Sequence, residues 1–187
     1  MRVIGIIKKI FTHIEMMNPI KYGRKIGVTI GEKCSFTTCP NWGTEPYLIS
    51  IGNHVRLSGD VMFITHDGGT WVFRQQEKYK KVIRYGSIKI SDNCFIGTRT
   101  ILLPNIVIGE NVVIGAGSVV TKSVPAGEVW AGNPARFICK TKDYAEKCLA
   151  ETPDYDINNY FIDPQDEIKK IARMVEIYEK NNGAKNR

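Results

Sequence analysis

The sequence predicts an all-β core built as a parallel β-helix, and three observations carry that prediction. From Ile90 to Val124, aliphatic residues recur every six positions, at Ile90, Ile96, Leu102, Ile108, Ile114 and Val120. A second inward series follows four places on, at Cys94, Thr100, Ile106, Val112, Ser118 and Val124. Gly97, Gly109 and Gly115 each come directly after an aliphatic residue. A helix returns to the same face every three to four residues, whereas a strict six suits one short strand and one corner per unit. Stacking such units buries a ladder of aliphatic side chains, with glycine and small residues allowing tight corners.

The N-terminal element, residues 1–20, places Ile4, Ile7, Ile10, Phe11 and Ile14 at helical spacing with Lys8, Lys9 and His13 between them. An amphipathic helix follows over Met1 to Met17. It is too short and too charged to span a bilayer, and no small-residue cleavage site marks a signal peptide. Two placements stay open: packing on the domain or on a neighbouring subunit, or a peripheral membrane contact through residues 1–17 and their basic flank. Asn18-Pro19 ends the helix.

The repeat domain runs over residues 28–140. It begins with Ile30-Gly31 and the inward pair Cys34 and Phe36. Register is then interrupted by the turn-rich Pro40 to Pro46, expected to leave the coil as a loop. That loop is either a connector or, through Trp42 and Glu45, a binding wall. The repeat resumes at Ile51, Leu57 and Phe63, with Val55 and Val61 in the second slot. His54 falls at a solvated corner. His66 closes a hexad immediately before an inserted loop, residues 68–87, which carries Trp71, Phe73, Tyr79 and Tyr85 among Arg74, Lys78, Lys80, Lys81 and Arg84. Long loops so rich in aromatic residues usually bind something. Counting hexads gives three eighteen-residue coils, with the loop between the first and second and a partial coil before them. Pro125-Ala126-Gly127 ends the ladder, and Phe137 and Ile138 are expected to continue inward packing. In the C-terminal helical extension, residues 141–187, a short helix is expected near Tyr144 to Leu149. A longer one is expected over Pro164 to Lys180, suited to covering an exposed coil end.

Composition bounds the function. A chain of 187 residues suits one domain. Its five cysteines form neither a close metal-ligand set nor a secreted disulfide framework, which implies reduced thiols and a cytoplasmic protein. The formal charge of +7 accompanies no nucleic-acid module, so no nucleic-acid partner is expected. No metal is expected either.

The repeat, Phe63-Ile64-Thr65-His66-Asp67 ahead of a long insertion, and the terminal Ala131-Gly132-Asn133-Pro134-Ala135-Arg136 occur here in that order. Together they resemble the hexapeptide-repeat acyltransferases over roughly residues 30–140, above all the sugar O-acetyltransferases of the maltose and polysaccharide-modifying type. The resemblance implies a left-handed coil, an exception to the usual crossover hand. It also implies acetyl-CoA as cosubstrate, a sugar or glycan acceptor, direct transfer, and a homotrimer with intersubunit active sites. In similar enzymes the histidine of this motif is the general base, which assigns that part to His66; Asp67 and Glu45 compete to orient it. A backbone N–H at the position of Thr98 supplies the oxyanion donor. For CoA the resemblance implies Phe95, where maltose-type relatives often carry tryptophan, with Gly97 and the small-residue run Gly115, Ala116, Gly117 and Ser118. It adds Lys122, Arg136 and Lys140 near the nucleotide phosphates, with Asn133 and Pro134 at the coil's end, where Trp130 either flanks adenine or plugs the coil. Acceptor contacts are assigned to Trp42, Glu45, Trp71 and Arg74. Rival readings are an amino-sugar N-acetyltransferase on the same scaffold and a non-catalytic β-helix. Serine acetyltransferase lacks support without a large helical domain before the coil, and a γ-class carbonic anhydrase needs a histidine cluster that three histidines do not make.

Overall fold

A computed structural model describes residues 14–152 and 164–182. The helix expected over residues 1–17 lies outside these except for one helical turn at 14–16. The chain divides into two compact units, Met1–Thr141 and Lys142–Arg187.

In the first unit, short strands wind into three parallel sheets. One face stacks β1 (Thr29–Ile30), β3 (Ile49–Ile51), β6 (Ile88–Ile90) and β9 (Ile106–Ile108). The second stacks β2 (Ser35–Phe36), β4 (Arg56–Leu57), β7 (Phe95–Ile96), β10 (Val113–Ile114) and β12 (Glu128–Ala131), and the third β5 (Met62–Phe63), β8 (Ile101–Leu102) and β11 (Val119–Val120). β13 (Arg136–Lys140) turns back antiparallel on β12. Ile90 pairs with Ile108, eighteen residues on, whereas Ile51 pairs with Ile90, thirty-nine residues on, because the inserted loop intervenes. Both six-residue series are buried throughout, including Thr100 and Ser118, whose hydroxyls bond the Gly115 carbonyl instead of facing water.

The glycines serve a purpose other than the corners. Positive φ falls instead at Asn93, Arg99, Asn105, Asn111 and Gly117, again six apart. Asparagine tolerates this region because its short polar side chain bonds locally. A Cβ on Gly97 would lie 2.5 Å from the Ala116 nitrogen and 2.8 Å from its Cα, so glycine is required where one coil's backbone rests on the next. Gly97→Ala should therefore cost about 1–3 kcal/mol, read from the denaturant midpoint; a cost near zero would show that the coils separate freely.

Trp42 corrects the expected interruption. Ile30, Phe36 and Trp42 are themselves six apart, and Trp42 fills the third inward slot of the first coil at 4% exposure, stacked on Phe63 at 5.3 Å and tilted against Phe36. Asn41 bridges Met62, so the chain leaves the coil only at Gly43. Phe137 and Ile138 also differ from expectation. They stand about half exposed on β13, which adds to the sheet edge, while Trp130 takes the buried place on β12.

Asn18-Pro19 both ends one helical segment and starts another, α1 (Pro19–Lys25). The Asn18 side chain accepts from the Lys21 N–H, and Pro19 stands at the first helical position. Gly23 of α1 faces Ile30 and Trp42, closing the first coil's end. The second unit contains all but the first residue of α2 (Thr141–Glu151), and α3 (Pro164–Asn182), which leaves Ile168, Ile171 and Val175 largely exposed. No helix among the described residues is long and apolar enough to cross a membrane.

Candidate active site

The corner after β5 gathers the chemistry. Thr65 is the last buried residue before the chain leaves the coil, and His66 follows at 44% side-chain exposure. The two arms of the loop meet there: Asp67 N–H donates to the Arg84 carbonyl at 2.9 Å and Gly86 N–H to the Thr65 carbonyl at 2.8 Å. His66 bridges Tyr85, whose ring meets the imidazole edge-on at 6.0 Å. The backbone that carries the imidazole is thus held on both sides.

Glu45 comes from the short segment between Trp42 and β3. Its Oε2 lies 3.0 Å from His66 Nδ1. A carboxylate only accepts, so Nδ1 carries the proton and Nε2 is left as the basic nitrogen. Two hydroxyls clamp the same carboxylate, Thr65 Oγ1 on Oε2 at 2.6 Å and Thr44 Oγ1 on Oε1 at 2.7 Å. The Thr65 and Thr44 bonds, with a smaller contribution from His66, hold Glu45 down to about 2, so it is anionic at any physiological pH. Its side chain is 13% exposed. Thr44 and Thr65 escaped the sequence reading, although their adjacency to Glu45 and His66 was the available signal.

Asp67 does not orient His66. Its Oδ1 accepts from the Gly69 N–H, capping a 3-10 turn at Gly68–Val72, and Oδ2 faces Arg84 at 3.5 Å. Trp42 is core, as described, and so is withdrawn from acceptor contacts, while Glu45 acts on the imidazole. Trp71 is 67% exposed on the loop. Neither Trp71 nor Arg74 lines the groove of about 730 Å³ beside His66. That groove runs over Tyr85, Pro104, Asn105 and Lys122, with Arg84 at its rim.

The expected CoA residues are only partly gathered. Lys122 lines the His66 groove with its Nζ 5.1 Å from the Trp130 ring. Trp130 is buried and donates to Glu128 Oε2 at 2.7 Å, which makes it a plug for the coil end and not a neighbour of adenine. Lys140 donates to Glu128 Oε1 at 2.7 Å, and this bond together with that of Trp130 lowers the Glu128 carboxyl below its usual range. Lys140 is therefore committed and drops from the phosphate-binding set. Ser118 is buried in the ladder, and Gly97 is a stacking glycine. Ala116, Gly117, Asn133, Pro134 and Arg136 are exposed, with a cis bond between Asn133 and Pro134. Phe95 points outward on β7 beside Arg56 on β4. Thr98 lies outside the His66 groove; its Oγ1 meets Ser58 Oγ at 2.7 Å. No group of three or more metal-ligating side chains occurs among the described residues.

Comparison with known proteins agrees with this architecture. The family model described as bacterial transferase hexapeptide (six repeats) matches residues 87–122. Protein CapG of Staphylococcus aureus is 48% identical over 134 residues, 71% of this chain and 76% of that protein. The galactoside O-acetyltransferase of Escherichia coli strain K12 is 34% identical over 99 residues, 53% of this chain, and the chain spans 47% of that enzyme's length. Among solved structures, a hexapeptide-repeat-containing acetyltransferase from Vibrio cholerae superposes with a TM-score of 0.54 at 22% identity, over 68% of this chain and 82% of the other. That match speaks for the left-handed β-helix alone. With nearly half of the 134 aligned residues identical to CapG, across three quarters of that protein, and with its repeat matched, the chain belongs to the hexapeptide-repeat transferases and is an acyltransferase.

Proposed function

We infer that the protein transfers an acetyl group from acetyl-CoA to the hydroxyl of a sugar or glycan precursor, with His66 as general base. The observation that carries this is the 3.0 Å contact between Glu45 and His66 Nδ1, which leaves Nε2 as the basic nitrogen of a residue lining a groove. A hydroxyl must lose its proton as it attacks, and a neutral imidazole is suited to take it near pH 7. The positive charge that then forms on the ring is stabilised by the partly buried Glu45 carboxylate.

When bound, acetyl-CoA supplies the acyl group as a thioester. The chain's own surface fits such a ligand. Ala116 and Gly117 are exposed at a corner where a Cβ on Gly117 would meet nothing within 4 Å. Lys122 and Arg136 are exposed cations without an ion pair among the described residues, and such cations suit phosphate groups. On this reading the protein is a cytoplasmic homotrimer, and the Thr98 N–H of a neighbouring subunit serves as oxyanion donor.

The test is CoA release by purified protein with neutral sugars, acidic sugars, amino sugars and nucleotide-sugars, with His66→Ala as control. Turnover is expected with hydroxyl acceptors and is lost in the variant. Turnover confined to amine acceptors would replace the O-transfer reading with N-acetylation, and turnover unchanged by His66→Ala would remove the base.

Glu45 is a positioning residue with its own prediction. In Glu45→Gln the amide has one acceptor oxygen where three donors converge, and its NH₂ confronts a threonine hydroxyl or the imidazole. Turnover should fall about ten- to hundredfold with the acceptor KM little changed. The effect on stability has a defined sign. A carboxyl lowered on folding contributes stability above its unfolded value near 4.5, and that contribution is lost as pH falls towards about 2. The variant's unfolding midpoint should therefore vary less over that window than the parent's, and equal slopes would contradict the clamp.

A further inference from the structure

A second groove, of about 390 Å³, opens on the outer surface of the second sheet, where it turns from the first. Two columns of side chains line it. Along the corner run Lys33, His54, Asn93 and Asn111, one from each successive coil, all with positive φ. Along the sheet run Ser35, Arg56, Phe95 and Val113, paired strand to strand. Neighbouring coils lie about 4.8 Å apart, so four levels span about 14 Å, the length of roughly three linked sugar rings.

Charge is one-sided here. No acidic side chain lines the groove. Of the acids next to it in sequence, Glu32 pairs with Arg24 at 2.9 Å and Asp92 accepts from the Asn53 N–H at 2.8 Å and from its side chain, while Glu110, beside Asn111, is exposed and lies outside the groove lining. Lys33 and Arg56 make no ion pair among the described residues. Phe95, 38% exposed, offers a ring face beside Arg56.

The corner column is also preorganised. His54 Nδ1 meets Asn93 Oδ1 at 2.7 Å, and Asn93 Nδ2 donates to Asn111 Oδ1 at 2.7 Å. Asn93 uses its amide nitrogen as donor to Asn111, so its oxygen faces His54 and accepts from Nδ1–H. The chain of bonds fixes the tautomer with Nε2 as acceptor, and it holds three side chains in place before any ligand arrives. Their ordering entropy is thus already spent on folding.

We propose that this groove binds a saccharide bearing an anionic group, carboxylate or phosphate, with Arg56 and Lys33 on the charge, Phe95 against a ring face, and the His54–Asn93–Asn111 ladder facing hydroxyls. Arginine forks onto planar oxyanions, aromatic rings present an apolar face to sugars, and the histidine and asparagines supply polar edges. The proposal rests on the sugar reading above for the saccharide and narrows that reading to an acidic acceptor; the charge stands on the groove alone.

Binding is measured by calorimetry on the full chain with trigalacturonic acid, its neutral galactose counterpart, a sugar phosphate and a short single-stranded DNA. The acidic oligosaccharide should bind at least tenfold more tightly than the neutral one, and Arg56→Gln and Phe95→Ala should each weaken it about tenfold. The sugar phosphate distinguishes a phosphate from a carboxylate preference. His66→Ala should leave binding unchanged, so a failed acetylation assay and a failed groove are told apart. Equal affinity for neutral and acidic oligosaccharides, DNA binding as tight as trigalacturonic acid, indifference to Arg56→Gln, or no saccharide binding would each overturn the proposal. All three varied positions lie on the surface, and unchanged thermal melts confirm that the variants fold.

Discussion

His66→Ala is expected to lower kcat by about two to four orders of magnitude, the range for losing a positioned general base. The unfolding midpoint should barely move, because the imidazole is nearly half exposed and the Thr44 and Thr65 hydroxyls still satisfy Glu45. Affinity for CoA, measured by calorimetry, should stay within a factor of about two to three. The combination matters more than the rate alone. A variant that lost turnover and CoA affinity together would make His66 a structural prop of the loop neck, since its ring meets that of Tyr85 there.

Phe63→Ala is expected to cost about 3–5 kcal/mol in denaturant unfolding, a large share of the 5–15 kcal/mol that holds a typical domain. Phe63 is fully buried, and it is the platform on which Trp42 stacks, with Phe36 tilted against the other ring. Removing it opens a cavity between two coils whose backbones are fixed by strand pairing and cannot close in. Phe63→Leu, which keeps most of the volume, should cost less than about 1.5 kcal/mol. A Phe63→Ala cost equally small would mean that the aromatic cluster is loosely packed. Residual activity should follow the folded fraction, with a further loss because His66 lies only three residues beyond.

The β-helix was legible because its signal is redundant: Ile90 to Val124 gives six consecutive units, and every aliphatic slot proved buried. Where one coil carried the signal in other residue types, the reading failed. Trp42 occupies a hexad position six after Phe36, but an aromatic residue among Pro40, Gly43 and Pro46 looked like a loop. The placement of glycine was visible while its cause was not, because contact with the next coil is invisible in a one-dimensional pattern. The motif pointed to His66, yet whether Glu45 or Asp67 would reach it depended on a contact across twenty-one residues, and Asp67 had a nearer demand from its own turn. Lys140 looked like a free cation because Glu128, its partner, is brought opposite only when β13 folds back.

The insertion leaves after Thr65 and rejoins at Gly86, and the two hydrogen bonds at its neck close it onto a coil that already pairs Ile51 with Ile90. Stacking of the coils therefore does not depend on what the loop contains. Doubling its length would add only about 0.6 kcal/mol of closure entropy. Such an arrangement lets a lineage rewrite the loop by insertion, deletion or recombination while inheriting an unaltered solenoid, and it makes residues 68–84 the natural segment to graft between relatives when a new acceptor is sought.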